Sequence, residues 1–296
     1  LPAVHVVVQE CGLRTGNGTV LSGALPARHR WVGNPLFCFL VRRMFRAPIH
    51  DVYCGLRGFT SATYHDLDLR CTGMEFATEM IIKSTLFGKD IVEVPITLYP
   101  DGRKSTKPHL RTFRDGWRTL RFYFLYSPRW LFWVPGLLLF FAGIVGYSLA
   151  LPGVTAFGAT LDAHTLLFCS LFLVIGHLLI AFAALAKTFA VNVGLMPEDK
   201  RLDAFYRVAT LERGLLIGGA LVLFGTLLLV ETVAQWVRAD FGALDYGRTM
   251  RWAIPGVTGC ILGAQTIATS LLGSVLGMGR KQKGTVSERT RGGKRS

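Results

Sequence analysis

Acidic residues are scarce in this 296-residue sequence: 19 Asp and Glu stand against 33 Lys and Arg, for a formal net charge of +14. The excess is uneven. Residues 1–129 carry 18 basic and 10 acidic residues, residues 130–279 carry 8 of each, and residues 280–296 carry 7 and 1. Basic ends around a neutral middle suit anionic lipid headgroups and phosphorylated substrates. No nucleic-acid recognition motif accompanies the charge, which argues against DNA or RNA as a partner. Paired cysteines are also missing. Cys11, Cys38, Cys54, Cys71, Cys169 and Cys260 follow no metal or disulfide spacing, so the expectation is reduced thiols and no zinc site. No charged leader followed by an apolar core and a cleavage site is visible at the start. The chain opens on Leu1 and runs at once into the strand-like Ala3–Val8, an abrupt start that predicts a preceding segment.

What is plentiful is apolar. The composition is 51% hydrophobic with a mean hydropathy of +0.39. Four runs, at about 130–151, 165–186, 214–237 and 252–278, each offer the ~20 residues that cross ~30 Å of hydrocarbon as a helix. One acidic residue, Glu231, falls near an end of the third, and one histidine, His177, falls within the second. An intramembrane His is a functional candidate by default, and its bland counterpart is a neutral ring bonded to a neighbouring helix. The 152–164 loop has no Lys or Arg, whereas the 187–213 loop has five and the tail seven. By the positive-inside rule the front domain, the 187–213 loop and the tail are expected in the cytoplasm, in an integral inner (cytoplasmic) membrane protein. Residues 280–296 read as a disordered basic tail.

Ahead of the apolar block the pattern is α/β. Residues 3–8 read as a strand, residues 12–27 as a Gly/Thr/Ser/Pro loop, Pro35–Phe45 as a helix, Asp51–Phe59 as strand and turn, Met74–Phe87 as a helix stopped by Gly88, and Asp90–Leu98 as a strand. Two or three strands bury little core. Pro108–Tyr126 reads as an amphipathic helix. Leu110, Phe113, Trp117, Leu120 and Phe124 form one face, and Arg111, Arg114, Arg118 and Arg121 form the face beside it. That pattern fits a helix lying in the headgroup plane. The expected division is residues 1–107, an interfacial helix 108–128, a four-helix membrane domain 129–279, and the tail 280–296.

Five segments in order, Gly23–Pro35, Asp51–Phe59, Thr72–Met80, Glu93–Ile96 and His109–Arg118, resemble the family 2 glycosyltransferases of the polyprenyl-phosphate (dolichyl-phosphate) mannose or glucose synthase type. The resemblance covers about residues 10–136. It implies part of an A-type glycosyltransferase domain followed by transmembrane helices, moving a sugar from a nucleotide-sugar donor to a polyprenyl-phosphate acceptor. It also implies a divalent metal, Mg or Mn, held by an Asp-any-Asp motif in a preceding nucleotide-binding half. This chain shows no counterpart of that motif in the matching place, since Asp66-Leu-Asp68 follows the Gly55-Leu56-Arg57 turn. The metal ligands are therefore expected outside this chain, and activity is expected of the full-length enzyme.

In such a reaction the nucleophile is already an anionic phosphate oxygen, so positioning and charge neutralisation matter more than a strong base. The planar arginine fork suits phosphate oxygens. The resemblance points to Arg14, Arg30 and Arg103 as phosphate ligands, with Lys104 and Lys107 assisting. Arg57 is either a further phosphate ligand or the partner of a helix end or a carboxylate such as Glu75. Glu75 and Glu79 lie one helical turn apart and, with Gly55, are expected to shape the pocket. Asp51 is the candidate for orienting the acceptor. The competing reading is a catalytically inactive membrane anchor or interaction protein, or a small transporter. A homo-oligomer is compatible with either.

Overall fold

A computed structural model describes residues 12–21, 29–99, 112–156 and 159–292, with backbone alone at a few of these, Arg30 and residues 279–292 among them. The strand expected at residues 3–8 lies outside the described residues. The chain divides into two compact units, Leu1–Ser127 with Leu195–Pro197, and Pro128–Gly194 with Glu198–Ser296.

The first unit is built on a three-stranded sheet. Its central strand, β1 (Leu13–Val20), pairs antiparallel with β2 (Arg57–Phe59) and in parallel with β3 (Ile91–Leu98). The registers are Leu13 opposite Phe59 in one direction and Leu13 opposite Ile91 through Val20 opposite Leu98 in the other. Here the structure corrects the sequence reading, which placed a loop over residues 12–27. Gly16 and Gly18 serve close packing within a strand, not a turn. A Cβ on Gly16 would sit 2.6 Å from Ile96 Cδ1, and one on Gly18 would sit 2.0 Å from the Ile96 carbonyl oxygen. A glycine in a strand often marks such an approach.

Among the described residues, four α-helices accompany the sheet: α1 (Asn34–Phe45), α2 (Ser61–Leu67), α3 (Met74–Leu86) and α4 (Thr112–Leu125). Helix α1 begins with Pro35, whose missing N–H costs nothing in a first turn, and ends where Arg46 turns left-handed and returns its N–H to the Arg42 carbonyl. Thr60 caps α2 by accepting the Thr63 N–H. The core joins Leu13 of β1, Val41 and Phe45 of α1, Met80, Ile81 and Ile82 of α3, and Phe122 and Tyr123 of α4. Tyr123 is fully buried, with the rings of Phe37 and Phe45 edge-on at 5.9 and 6.1 Å. Thr119, Phe122 and Tyr123 thus face the core, while Phe113 and Trp117, on the expected aromatic face, stand 88% and 60% exposed.

Among the described residues, the second unit has four helices long and apolar enough to cross a membrane: Arg129–Ala150, Ala163–Asn192, Leu211–Arg238 and Tyr246–Met278. The chain is a multi-pass membrane protein. We number these spans α5 (Val134–Ala150, entered through a wider turn at Arg129–Trp133), α6 (Ala163–Asn192), α8 (Leu211–Arg238) and α9 (Tyr246–Gly292). Between α6 and α8 lies the short α7 (Lys200–Val208). The tail expected to be disordered continues α9 to Gly292, since Lys, Arg, Gln and Glu are good helix formers and helical hydrogen bonds are local.

Lipid chains are as apolar as leucine, so these helices gain little by hiding leucines from them, and close backbone approach and polar contacts hold them instead. Gly136, Gly143 and Gly176 bring α5 and α6 together. A Cβ on Gly176 would lie 2.5 Å from the Phe140 nitrogen. Gly218 and Gly225 of α8 meet Gly263 and Gly256 of α9, and a Cβ on Gly263 would lie 2.5 Å from the Gly218 carbonyl oxygen. Polar contacts tie α9 to α6. Tyr147, Ser170 and Thr258 form a closed triangle with edges of 2.6, 3.0 and 2.9 Å. The His177 ring lies between Gln265 at 3.1 Å and Thr266 at 3.3 Å, which is the neighbouring-helix arrangement. At the end where α6 finishes, Lys187 pairs with Asp199, the N-cap of α7, and Thr188 bonds to Tyr206 at 2.7 Å.

Gly263→Ile is expected to force α8 from α9 and cost about 1–3 kcal/mol. Gly219→Ile, on the same pair of helices but with nothing within 4 Å of its Cβ position, is expected to be nearly neutral. Thermal unfolding of both variants in detergent, followed by circular dichroism, separates the two outcomes.

Candidate functional site

The segment from His50 to Phe59 bends at His50 and at Val52–Tyr53 and lacks regular structure until β2 begins at Arg57. Three groups fix its course. At its start, the Glu93 carboxylate of β3 accepts the His50 N–H at 2.5 Å, meets His50 Nδ1 at 2.8 Å, and accepts Asn17 Nδ2 of β1 at 2.9 Å. One side chain therefore ties β3, β1 and the incoming segment together. Burial pushes the Glu93 carboxyl up, but the His50 N–H, the His50 ring and Asn17 outweigh it and hold the group below its ordinary pKa.

At the centre, Asp51 Oδ1 accepts the Tyr53 N–H at 2.9 Å, a local turn that Asp favours, and Asn34 Nδ2 at 3.2 Å. Asn34 opens α1, so the Gly33-Asn34-Pro35 string and the Asp51 string meet in space. Cys38 extends the link. Its thiol donates to Asn34 Oδ1 at 3.0 Å and accepts the Val52 N–H at 3.4 Å. Burial pushes that thiol up to about 11, so it is a neutral packing group at pH 7. Asp51 Oδ2 takes no hydrogen bond among the described residues, and the side chain is half-buried. Tyr53 stands beside it against Phe37, with ring centroids 5.7 Å apart.

At the end of the segment, Arg57 closes the turn. Its Nε donates to the Cys54 carbonyl at 3.0 Å, its Nη2 to the Val52 carbonyl at 2.6 Å, and its Nη1 to the Ala77 carbonyl of α3. The sequence reading offered Glu75 as a partner, and the structure corrects it. The 52–56 stretch has few strand partners for its carbonyls, and a five-donor fork supplies them. With all three nitrogens engaged on main chain, Arg57 positions the segment. Gly55 is exposed, and a Cβ there would meet nothing within 4 Å, so it borders open space.

Glu75 and Glu79 are divided between different partners. Glu75 forms a two-point pair with Arg118 of α4 at 2.6 and 3.0 Å. Glu79 and Lys83 are both completely buried and lie 3.0 Å apart. Glu79 also accepts the Arg70 and Cys71 N–H groups at 3.0 and 2.7 Å and the Tyr126 hydroxyl at 2.9 Å, while Lys83 donates to the Asp68 carbonyl at 2.6 Å. Burial pushes the Glu79 carboxyl up, and the bonds from Cys71, Lys83 and Tyr126 together bring it below the ordinary value. These two carboxylates hold α3, α4 and the 68–71 loop in place. The sequence reading placed Glu93 in a motif string without giving it a role, and it did not single out Lys83. Each is a charge inside an apolar run, the one available signal.

Arg14 is half-buried on β1, opposite Gly58 and Val92. The Arg30 side chain and residues Arg103, Lys104 and Lys107 lie outside the described residues, so the structure does not test the set as phosphate ligands. Asp66 pairs with Lys89 at 2.6 Å and Asp68 with Arg70 at 2.7 Å. Among the described residues, no group of three or more His, Cys, Asp or Glu is placed to hold a metal ion.

Residues 184–277 match the family 2 glycosyltransferase C-terminal transmembrane region. The chain is also 32% identical over 259 residues to a Haloferax volcanii protein named low-salt glycan biosynthesis hexosyltransferase Agl6, an alignment covering 87% of this chain and 61% of that protein. The chain thus spans about three-fifths of that relative's length. No solved structure matches. Both findings bear out the resemblance to family 2 glycosyltransferases.

Two outcomes test the carboxylate anchors. Lys83→Met leaves Glu79 buried without its cation and is expected to cost about 3–5 kcal/mol, with much of the loss recovered in the Glu79→Leu/Lys83→Met double variant. Because the Glu79 and Glu93 pKa values are depressed in the folded state, their stabilisation is complete above the usual Glu value of about 4.3 and fades as pH falls through the folded values. Melting temperature against pH should therefore drop on the acid side, and Glu93→Gln should flatten that limb.

Proposed function

We propose, from the kinship with family 2 glycosyltransferases, that this chain acts in a membrane-bound enzyme moving a hexose from a nucleotide-sugar to a polyprenyl or dolichyl phosphate at the cytoplasmic face. The observation that carries the reading is the 32% identity, through both units, to a protein named a hexosyltransferase. In this reaction a lipid-phosphate oxygen bonds to the anomeric carbon as the bond to the nucleoside diphosphate breaks.

Asp51 is the residue assigned to orient the acceptor. Its Oδ1 is fixed by Asn34 and Tyr53, which leaves Oδ2 for a hydroxyl or phosphate proton of a bound substrate. Arg14, Arg30 and Arg103, with Lys104 and Lys107, are assigned to the phosphates, where cations offset the charge of two anionic partners. Arg57 and Glu93 hold the Asp51 segment, and Glu75 and Glu79 hold α3 against α4 and the 68–71 loop. The resemblance alone brings a divalent metal, Mg or Mn, into the proposal. The described residues provide no ligand set for it.

The test is incorporation of labelled hexose into organic-soluble lipid by the membrane-embedded protein, supplied with nucleotide-sugar, Mg or Mn, and polyprenyl phosphate. Asp51→Asn is expected to lower the rate by about 10²-fold, the scale of a misplaced substrate, with melting temperature little changed. Transfer at the wild-type rate by an Arg30→Ala/Arg103→Ala double variant would overturn the phosphate assignment.

A further inference from the structure

The helices of the second unit alternate in direction. Gly218 faces Gly263 and Gly225 faces Gly256 across α8 and α9, while Gly143 faces Leu173 across α5 and α6. One end of the bundle therefore gathers the finish of α5, the start of α6, the finish of α8 and the start of α9. It is the end away from α7. Two cavities lie there. The first, about 360 Å³, is lined by Asp162 ahead of α6 and by Asp245, Gly247, Arg248 and Arg251 around the start of α9. The second, about 300 Å³, is lined by Thr232, Val233 and Trp236 of α8 and by Leu244. Leu244 and Asp245 are consecutive, so a charged cleft and an apolar slot adjoin along the chain.

The charged cleft is shaped by two glycines. Gly153, held at φ +74°, lies under the Arg251 guanidinium, and a Cβ there would come within 2.8 Å of Nη2. Gly247 lies between the carboxylates, its Cβ position 3.6 Å from Asp245 Oδ1 and 3.8 Å from Asp162 Oδ1. The polar groups inside are incompletely satisfied. Arg251 Nε and Asp162 Oδ1 are buried without a hydrogen-bond partner. Arg251 Nη2 approaches Asp162 Oδ1 only to 3.6 Å, beyond hydrogen-bond length. The Arg251 and Asp162 side chains are 32% and 44% exposed, so the open cleft leaves this guanidinium and carboxylate with hydrogen-bonding capacity for a polar ligand.

The lining identifies its chemistry. Two arginines one turn apart on α9 offer donors to anionic oxygens. Two aspartates balance them, so a bare anion gains no net attraction, and the carboxylates call for donors on the ligand. The adjoining apolar slot, at the end of a membrane bundle, suits a hydrocarbon chain. We propose that this end of the membrane domain binds a lipid whose phosphate headgroup also carries hydrogen-bond donors, the phosphate on Arg248 and Arg251 and the donors on Asp162 and Asp245. An ammonium-bearing phospholipid and a hexosyl-phosphoryl polyprenol share that chemistry. Hexosyl-phosphoryl polyprenol as a ligand rests on the glycosyl-transfer reading, whereas phosphatidylethanolamine does not.

Native mass spectrometry of the full chain in detergent, titrated with phosphatidylethanolamine, hexosyl-phosphoryl polyprenol and phosphatidylcholine, provides the test. Phosphatidylcholine has the phosphate but no headgroup donors. The expected result is binding of at least one donor-bearing lipid about tenfold tighter than phosphatidylcholine, lost in Arg248→Gln/Arg251→Gln, the loss expected for one charge-assisted hydrogen bond or more. Which of the two lipids binds more tightly decides the source. Arg248→Gln alone, at an exposed position, serves if the double variant does not fold, and is expected to weaken the same lipid. Equal binding of phosphatidylcholine, or unchanged binding by the variants, overturns the proposal.

Discussion

The Glu93 carboxylate is the contact on which the first unit closes. It sits on β3, reaches Asn17 on β1, and holds both the backbone and the ring of His50. Remove it, and the sheet loses a side-chain tie between its two long strands while the segment leading to Asp51 loses its anchor. A half-buried carboxylate with three donors is stable as an anion because hydrogen bonds to its charged form exceed the cost of burial. Asp51 lies one residue beyond that anchor. Its geometry, and that of the turn closed by Arg57, follows from where Glu93 fixes the chain.

The second unit depends on a different constraint. Within a bilayer, apolar side chains are equally at home against lipid or against another helix, so specificity must come from elsewhere. The glycine seams between α5 and α6 and between α8 and α9 let backbones approach until a methyl group would collide with a carbonyl or an amide. The Tyr147–Ser170–Thr258 triangle and the His177–Gln265–Thr266 contacts then set how α6 and α9 align. These polar groups read as scattered residues in otherwise apolar runs, yet they fall at matching heights on neighbouring helices.

Much of the fold was legible because its signals are local. The four spans follow from length and apolarity, α1 and α3 from periodicity with Pro35 and Gly88 as punctuation, and β3 from its β-branched residues. The reading failed at β1, where Leu13–Val20 looks like a loop because of Gly16 and Gly18. Those glycines answer to Ile96 and Cys54, residues distant in sequence, so no local rule could interpret them. The amphipathic helix was legible over its described part, Thr112–Leu125, but the residues it turns to the core were not. Its apolar residues cover two sides, and Phe122 and Tyr123 took the inward one while Phe113 and Trp117 stayed exposed.

For the candidate site the division is sharper. The order of the motif strings was readable from residues 23 to 118. Which charges meet was not. Arg57 and Glu75 looked like partners, but Arg57 went to three carbonyls and Glu75 to Arg118, because satisfaction of an irregular backbone outranks an ion pair that solvent can screen. By itself the sequence determined that this is an α/β segment joined to four membrane-spanning helices, with basic character at both ends, since composition and periodicity act over short stretches. Only the tertiary structure decided that Glu93, Asn34 and Arg57 hold Asp51 in place, because those bonds join residues up to 76 positions apart and depend on which strands and helices lie side by side.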